Sequence, residues 1–453
     1  MMPEKEEADM SSTRRGFLRG TGAAVGSAVG AGCRTGGAPR LAAAQNGALA
    51  DWAAIRAEFP LSRDHIHLAL MLVTSHPRPV REAIERHRRA LDENPSAYFE
   101  KMFPTIDAQV RAAAAGYMGG TADDVALTDS TTMSLAVLYG GLPLRAGQEV
   151  LTTTHDHYAT HENLRLAAAR AGGGSREAAV IRKVALYDQG ATASAEEATR
   201  RLLAAIRPNT RVVAVTWVHS STGVKLPIRR FADALAEMNR KRGEGDRILL
   251  CVDGVHGFGV ESERPLDLGC DFFAAGCHKW MFGPRGTGVL WGRREAWAGH
   301  LGLIAPFEMA PYMAWMKGQT PTGPPGPMAT PGGFHSFEHR WALGEAFAFH
   351  QRIGRARITA RIHALASQYK EGLRALPHVK LHTPMSPALS AGLVCFEVEG
   401  LPAPEVVKRL HARHILASVT PYASEYARLS PGILNTPEEV ETVLREIRAM
   451  KPA

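Results

Sequence analysis

Asp271-Phe272-Phe273-Ala274-Ala275-Gly276-Cys277-His278-Lys279-Trp280, followed by the glycine-rich turn Gly283-Pro284-Arg285-Gly286-Thr287-Gly288, decides how the rest of this chain is read. Residues 271–275 form a short apolar run, the length and composition of a buried strand. The lysine follows the run directly. The glycines after it let backbone approach a bulky ligand. A lysine at a strand end is most often a plain surface residue, so its meaning rests on its surroundings.

The same grammar repeats upstream. Apolar runs at 125–129, 149–153, 212–218 and 248–253 predict strands, and amphipathic stretches at 132–142, 195–206 and 228–241 predict helices. Such alternation argues for an α/β fold with a mostly parallel sheet covered by helices. Residues 306–333 are rich in Pro, Gly, Met and aromatics, which predicts a long loop, functional or mobile. A helical stretch at 338–376, a strand at 392–398 and terminal helices predict a second, smaller domain.

With 453 residues, 45% hydrophobic and 22% charged, the chain has the profile of a soluble globular protein with ample core. The net charge of +8 is spread among acidic residues without a basic block, so no nucleic-acid partner is expected. Five cysteines (Cys33, Cys251, Cys270, Cys277, Cys395) contain no CxxC pair, which argues against structural zinc. Small buried residues are the expected role for those in mid-chain.

Thr13-Arg14-Arg15-Gly16-Phe17-Leu18-Arg19 has the twin-arginine pattern, and a weakly apolar Gly/Ala stretch follows it to Cys33. Cleavage is expected after Ala42-Ala43-Ala44. The stretch is too short and glycine-rich to span a membrane, so no stable insertion is expected. Cys33 follows Gly30-Ala31-Gly32, which lacks a large aliphatic, and is read as unlipidated. The expected location is periplasmic or otherwise extracytoplasmic, with the twin-arginine (Tat) translocase as a partner during export. That route carries folded proteins, which suits an enzyme that must trap a cofactor while folding.

Four segments carry the chemistry. A lysine can form a Schiff base only where its amine loses its proton and is held against an aldehyde, and Lys279 sits in such a setting. Cys251-Val252-Asp253-Gly254-Val255-His256-Gly257 ends an apolar strand in an aspartate, which is costly to bury without a partner. The protonated pyridine nitrogen of pyridoxal 5'-phosphate (PLP) is one such partner; a turn or cap role is the other reading. Both residues fall beyond the carboxyl ends of strands, where open α/β sheets bind ligands. Leu127-Thr128-Asp129-Ser130-Thr131-Thr132-Met133 runs from strand into helix, which suits either a phosphate site or a simple N-cap. His278 and Ser336 are further phosphate candidates. Thr154-His155-Asp156-His157-Tyr158 offers rings that stack on a flat cofactor, or two histidines spaced for metal but lacking a third ligand.

In their order, these segments resemble the class V aminotransferases among fold-type I PLP enzymes, and within them the isopenicillin N epimerase-like branch. The resemblance runs from about Leu68 to Thr436 and is most specific at His278-Lys279-Trp280 with the following Gly-Pro-Arg-Gly-Thr-Gly. It implies a large domain at 81–335 with a seven-stranded-type sheet, and a smaller α+β domain at 336–453 that residues 45–80 join. The signal segment occupies 1–44. It further implies PLP bound as a Schiff base to Lys279, with Asp253 on the pyridine nitrogen and His256 near the phenolic oxygen. His157 takes the ring-stacking position, Thr131 and Thr132 the phosphate, and Arg428, in Arg428-Leu429-Ser430-Pro431, the substrate carboxylate through paired hydrogen bonds. Ser220 stands where many relatives have asparagine near the ring, and Gly276 replaces a frequent phosphate-binding serine. His335-Ser336 replaces a Gly-Thr pair whose hydroxyl reaches the neighbouring subunit's phosphate. A homodimer is implied.

The expected function is PLP-dependent chemistry on an amino acid or amino-bearing secondary metabolite. Aminotransferase- or epimerase-like reactions lead, and C–S or C–N elimination, amine oxidation and non-catalytic binding of an amino metabolite are the alternatives. Cysteine desulfurase relatives use a mobile-loop cysteine, and neither 417–422 nor 306–333 contains one. In its twin-arginine signal the chain also resembles the periplasmic PLP enzyme of pyoverdine maturation, which suggests a substrate larger than a free amino acid.

Overall fold

The computed structural model describes residues 51–171 and 179–450. The twin-arginine segment, the expected cleavage site and Cys33 lie outside the described residues. After the two-residue β1 (Ile66–His67) come β2 (Val125–Thr128), β3 (Glu149–Thr153), β4 (Val180–Val184), β5 (Thr210–Thr216), β6 (Leu249–Asp253), β7 (Phe272–Gly276) and β8 (Gly288–Gly292). The last seven form one sheet in the order β2-β8-β7-β6-β5-β3-β4. Only β8 runs against the others, pairing antiparallel with both β2 and β7. The fold is therefore the α/β arrangement with the mostly parallel sheet that the alternation of runs predicts, in the seven strands that the resemblance implies.

Alternation along the strands explains why the sheet is covered on both sides. Leu151, Val213, Val215, Leu250, Val252, Phe273 and Ala275 enter one buried cluster. Their neighbours Val150, Val212, Ala214, Leu249, Cys251, Phe272 and Ala274 enter another. Every residue of β2, β3, β6, β7 and β8 is buried, so these strands read as continuous apolar runs.

Two strands of the large sheet have no counterpart in the sequence reading, each for a physical reason. Edge strand β4 carries exposed and half-buried residues, Val-Ile-Arg-Lys-Val, and lacks an apolar run. Strand β8 is hidden inside the glycine-rich motif and reads as turn. The helical stretch at 338–376 is two helices, Phe337–Ile353 and Arg355–Arg374, broken at Gly354 with φ 92°. Within 306–333, short helices occupy Met309–Met316 and Pro325–Ala329.

A second sheet contains β9 (Val379–Leu381), β10 (Val394–Val398), β12 (Ser418–Val419) and β13 (Ala427–Leu429) in the antiparallel order β12-β13-β10-β9. Its core includes Val394, Phe396, Leu429, Leu365, Tyr369, Val406 and Val443. Strand β11 (Ile415–Leu416) pairs in parallel with β1, Ile66 opposite Ile415 and His67 opposite Leu416. Cys251, Cys270, Cys277 and Cys395 are buried and unbridged, as small apolar fillers. Among the described residues no helix is long and apolar enough to cross a membrane.

Candidate active site

Strands β2, β3, β5, β6 and β7 share one direction, so their carboxyl ends lie along one edge of the sheet. Thr131 follows β2 by three residues, His157 follows β3 by four, Ser220 follows β5 by four, and Lys279 follows β7 by three. Asp253 is the last residue of β6. The sheet itself gathers these residues, however far apart they lie in sequence.

Lys279 is held by a tight loop. The Phe282 N–H donates to Lys279 O (3.0 Å), the Gly283 N–H to Cys277 O (2.8 Å) and the Cys277 N–H to Thr287 O (2.9 Å). Phe282 takes a left-handed backbone, φ 55°. Burial lowers the Lys279 amine to about 8, helped by the charge on Arg428 and opposed by Asp253. An amine so placed carries a reactive unprotonated fraction near neutrality, roughly a tenth at pH 7, as attack on an aldehyde requires.

Asp253 is buried at the end of β6 and its carboxyl is raised to about 6 by burial, against the Val255 N–H and Lys279. That N–H donates to Oδ1 at 3.2 Å. The next residue has to be glycine, because a Cβ at Gly254 would meet the Phe273 ring at 1.9 Å. A buried carboxylate beside a buried amine, facing the end of a parallel sheet, fits the pyridinium nitrogen of PLP.

His256 is buried, and its pKa is pushed well below the usual range by burial, then by Lys279 and Arg428. Trp280 Nε1 donates to its Nδ1 (3.3 Å). The indole can only donate, so the neutral imidazole carries its proton on Nε2 and can offer it to an oxygen. His157 is half-buried; its Nδ1 accepts from the Ala159 N–H (3.2 Å), and burial and Lys279 lower its pKa. Its ring meets Tyr422 edge-on at 6.2 Å.

Ser130 caps the helix Thr131–Gly141, its Oγ accepting the Met133 N–H (3.1 Å), which leaves first-turn N–H groups at the sheet edge. Thr131 Oγ1 accepts from the Gly276 N–H (2.8 Å), and a Cβ at Gly276 would stand 3.0 Å from that oxygen. Thr131 thus fills the space a serine at 276 would need. Thr132 is exposed, its carbonyl bound by Asn163 Nδ2 (3.2 Å). His278 is half-buried, with Nδ1 3.4 Å from Thr287 O. Ser336 is exposed at the start of helix Phe337–Ile353 and makes no side-chain cap there.

Arg428 is the largest charged group enclosed at the site, 1% exposed. It donates from Nε to Ser418 Oγ (3.1 Å) and from Nη1 to Ser220 O (2.8 Å), and among the described residues no carboxylate is paired with it. Ser220 Oγ in turn bonds Tyr422 OH at 2.6 Å.

Three residues at the site carry no signal in the sequence reading. Tyr422 lies in the stretch scanned only for cysteine; burial raises its phenol to about 12, keeping it protonated. Asp156 clamps the ends of β3 and β5, its Oδ2 accepting from the Thr153 N–H (2.8 Å) and its Oδ1 from the Thr216 N–H (2.7 Å). Asn163 is the third, through its bond to Thr132. The reading of 155–157 as one ring platform divides: His155 stacks on Tyr187 at 3.8 Å inside the protein, and His157 faces Lys279. The metal reading of the same segment gains nothing, since no metal-holding group of three or more ligands occurs among the described residues.

The lowered Lys279 pKa predicts how apoprotein takes up the cofactor. The rate should rise about tenfold per pH unit to near pH 8 and then level, as expected for attack by the neutral amine. Stopped-flow absorbance from pH 6 to 10 checks this; a rise continuing past pH 10 would mean an ordinary lysine.

The aminotransferase class V family model matches residues 74–443. The chain is 27% identical to isopenicillin N epimerase of Streptomyces clavuligerus over 419 residues, 89% of this chain and 99% of that protein. It is 26% identical to a probable cysteine desulfurase of Xylella fastidiosa (strain Temecula1), over 88% of this chain and 96% of that one. Among solved structures, the cystine C–S lyase C-DES in complex with cysteine persulfide superposes with a TM-score of 0.75 at 23% identity. That match covers 86% of this chain and 99% of the lyase.

Proposed function

Since the chain belongs to the class V aminotransferase family, whose cofactor is PLP, we propose that it acts on the α-carbon of an amino acid or of a larger metabolite bearing an amino-acid group. The leading reaction is of the epimerase or aminotransferase kind. The observation that carries this reading is Arg428, a fully enclosed guanidinium without a carboxylate partner among the described residues. Leaving such a charge uncompensated is costly, and its free N–H groups suit a substrate carboxylate. When bound, PLP withdraws electrons from the α-carbon. Asp253 would hold the pyridine nitrogen protonated, and Lys279 would anchor the cofactor and then move a proton at the α-carbon. His157 would cover the ring, His256 would donate from Nε2 to the phenolic oxygen, and Thr131, Thr132 and His278 would hold the phosphate.

Desulfuration is disfavoured by the cysteines themselves. Cys251, Cys270, Cys277 and Cys395 are all buried, and burial raises their thiols, Cys395 to about 12. None is placed as an exposed thiolate to receive sulfur. Incubation of L-amino acids in D2O should give α-deuteration with inverted product or 2-oxo acid. Release of sulfide from cysteine without α-exchange would sink the reading.

Arg428→Lys keeps the charge and loses the fork. We expect KM for α-amino acids to rise at least about tenfold, a loss of roughly 1.4 kcal/mol. Amines lacking a carboxylate should be unaffected and the cofactor spectrum unchanged; an unaltered KM would remove Arg428 from substrate binding.

The working unit in this proposal is a homodimer exported by the twin-arginine route. For the dimer, support comes from the exposed apolar residues Leu301, Tyr312, Trp315 and Phe334 in the segment 301–334 that precedes His335 and Ser336; for export, it comes from Arg14-Arg15 and the stretch that follows them. Light scattering should give twice the chain mass, and Trp315→Asp with Phe334→Asp should halve it. A monomeric wild type with full activity would overturn the dimer.

A further inference from the structure

The pairing of β1 with β11 brings three imidazoles together. The Ile66 N–H donates to His414 O (2.8 Å), which sets His414 beside His65. Strand alternation turns His65 and His67 to the same face, opposite Ile66, which packs against the smaller core. His65 Nε2 and His414 Nδ1 lie 3.3 Å apart, with ring centroids at 4.9 Å and planes inclined by 64°. The His67 ring is 6.3 Å from that of His65 and bonds Ser62 O through Nε2 (3.0 Å).

A separation of 3.3 Å is long for a hydrogen bond between two nitrogens. It matches two nitrogens bound to one tetrahedral ion, since bonds of about 2.0–2.1 Å opened at the tetrahedral angle place their ends about 3.3–3.4 Å apart. The backbone supplies a second observation. Among the described residues only Phe282 and His414 combine a side chain with a left-handed backbone, and φ at His414 is 58°. Phe282 shapes the loop of Lys279. His414 closes the turn between the helix Ala403–His411 and β11, and its left-handed backbone there fixes the ring beside His65.

We propose that His65 and His414 form a two-imidazole site for a late first-row divalent metal ion such as Zn2+, Ni2+ or Cu2+. No group of three or more ligands is present among the described residues, so water completes the coordination. Each ring gives the lone pair of the named nitrogen and keeps its proton on the other. Imidazole is a good ligand for these ions and a poor one for Mg2+ or Ca2+. Bound metal would clip the residue before β1 to the turn before β11, and would stabilise the folded protein by binding it alone.

The test is calorimetric titration of untagged holoprotein with ZnCl2 and with NiCl2, alongside thermal unfolding with and without metal. One micromolar-class equivalent and a raised unfolding midpoint are expected. His65→Ala and His414→Asn, the latter tolerant of the left-handed backbone, should each weaken binding at least about tenfold and cancel the thermal gain. His411→Ala is the control and should bind as wild type, because that ring is turned to Ala417 O (3.0 Å). Unchanged cofactor absorbance shows that each variant folds. Wild-type affinity in both His65→Ala and His414→Asn, or no binding of either salt up to millimolar concentration, would overturn the site.

Discussion

Lys279→Ala should give a folded protein that holds PLP without a covalent bond and has lost its turnover. The Schiff-base absorbance should vanish, and borohydride should fix no cofactor to residue 279. Activity should fall by at least the 10²–10⁴-fold, in order of magnitude, of a lost proton-transfer group. No neighbouring amine can substitute. Lys225 Nζ is bound to Glu261 (2.7 Å), and Lys370 Nζ is enclosed by Pro384 O (3.1 Å), Met385 O (2.9 Å) and Ser390 Oγ (2.7 Å). Mass spectrometry of the reduced protein reads the outcome. A reducible chromophore surviving in the variant would refute the assignment of Lys279, whatever reaction the enzyme runs.

Asp253→Asn should have the second-largest effect, with two parts of opposite sign. The amide keeps the shape and can still accept the Val255 N–H, so the fold should persist. It cannot stabilise a protonated pyridine nitrogen. An opposite charge at this range shifts a pKa by about 1–3 units, so turnover should drop on the order of 10²-fold, with Asp253→Glu losing less. Cofactor uptake should change the other way. Asp253 raises the Lys279 pKa, so losing its charge lowers that pKa further and leaves more neutral amine near pH 7. Faster loading with slower turnover is the expected signature. Slower loading, or undiminished turnover, would place Asp253 elsewhere.

Much of this arrangement is legible in the sequence because buried parallel strands write themselves as apolar runs. The residues that follow such runs (Thr131, His157, Asp253, Lys279) fall on one edge as soon as the strands share a direction. Legibility fails where the physics is not periodic. Strand β4 is at an edge and half exposed, so it shows no run. Strand β8 sits among glycines needed for close approach. Tyr422 and Asp156 are defined by partners 202 and 60 residues away, Ser220 and Thr216, and no local pattern encodes such contacts. Arg428 is similar: resemblance gives its place, but its burial and its missing counter-charge appear only when β13 is laid beside β10.

The pairing of β1 with β11 also sets a schedule for synthesis. Leu68 and Ser430, joined by a hydrogen bond, are 362 residues apart. At about 5–20 residues per second, a ribosome needs roughly 20–70 seconds between making one and the other. Through that interval the large sheet can form, yet the segment around Leu68 has no partner, and Ser220 waits for the guanidinium it will hold. A nascent chain stalled just before Ala427 would carry the lysine and its aspartate without the arginine. Of the residues gathered around Lys279, the arginine proposed to grip the substrate's carboxylate is the last to be made.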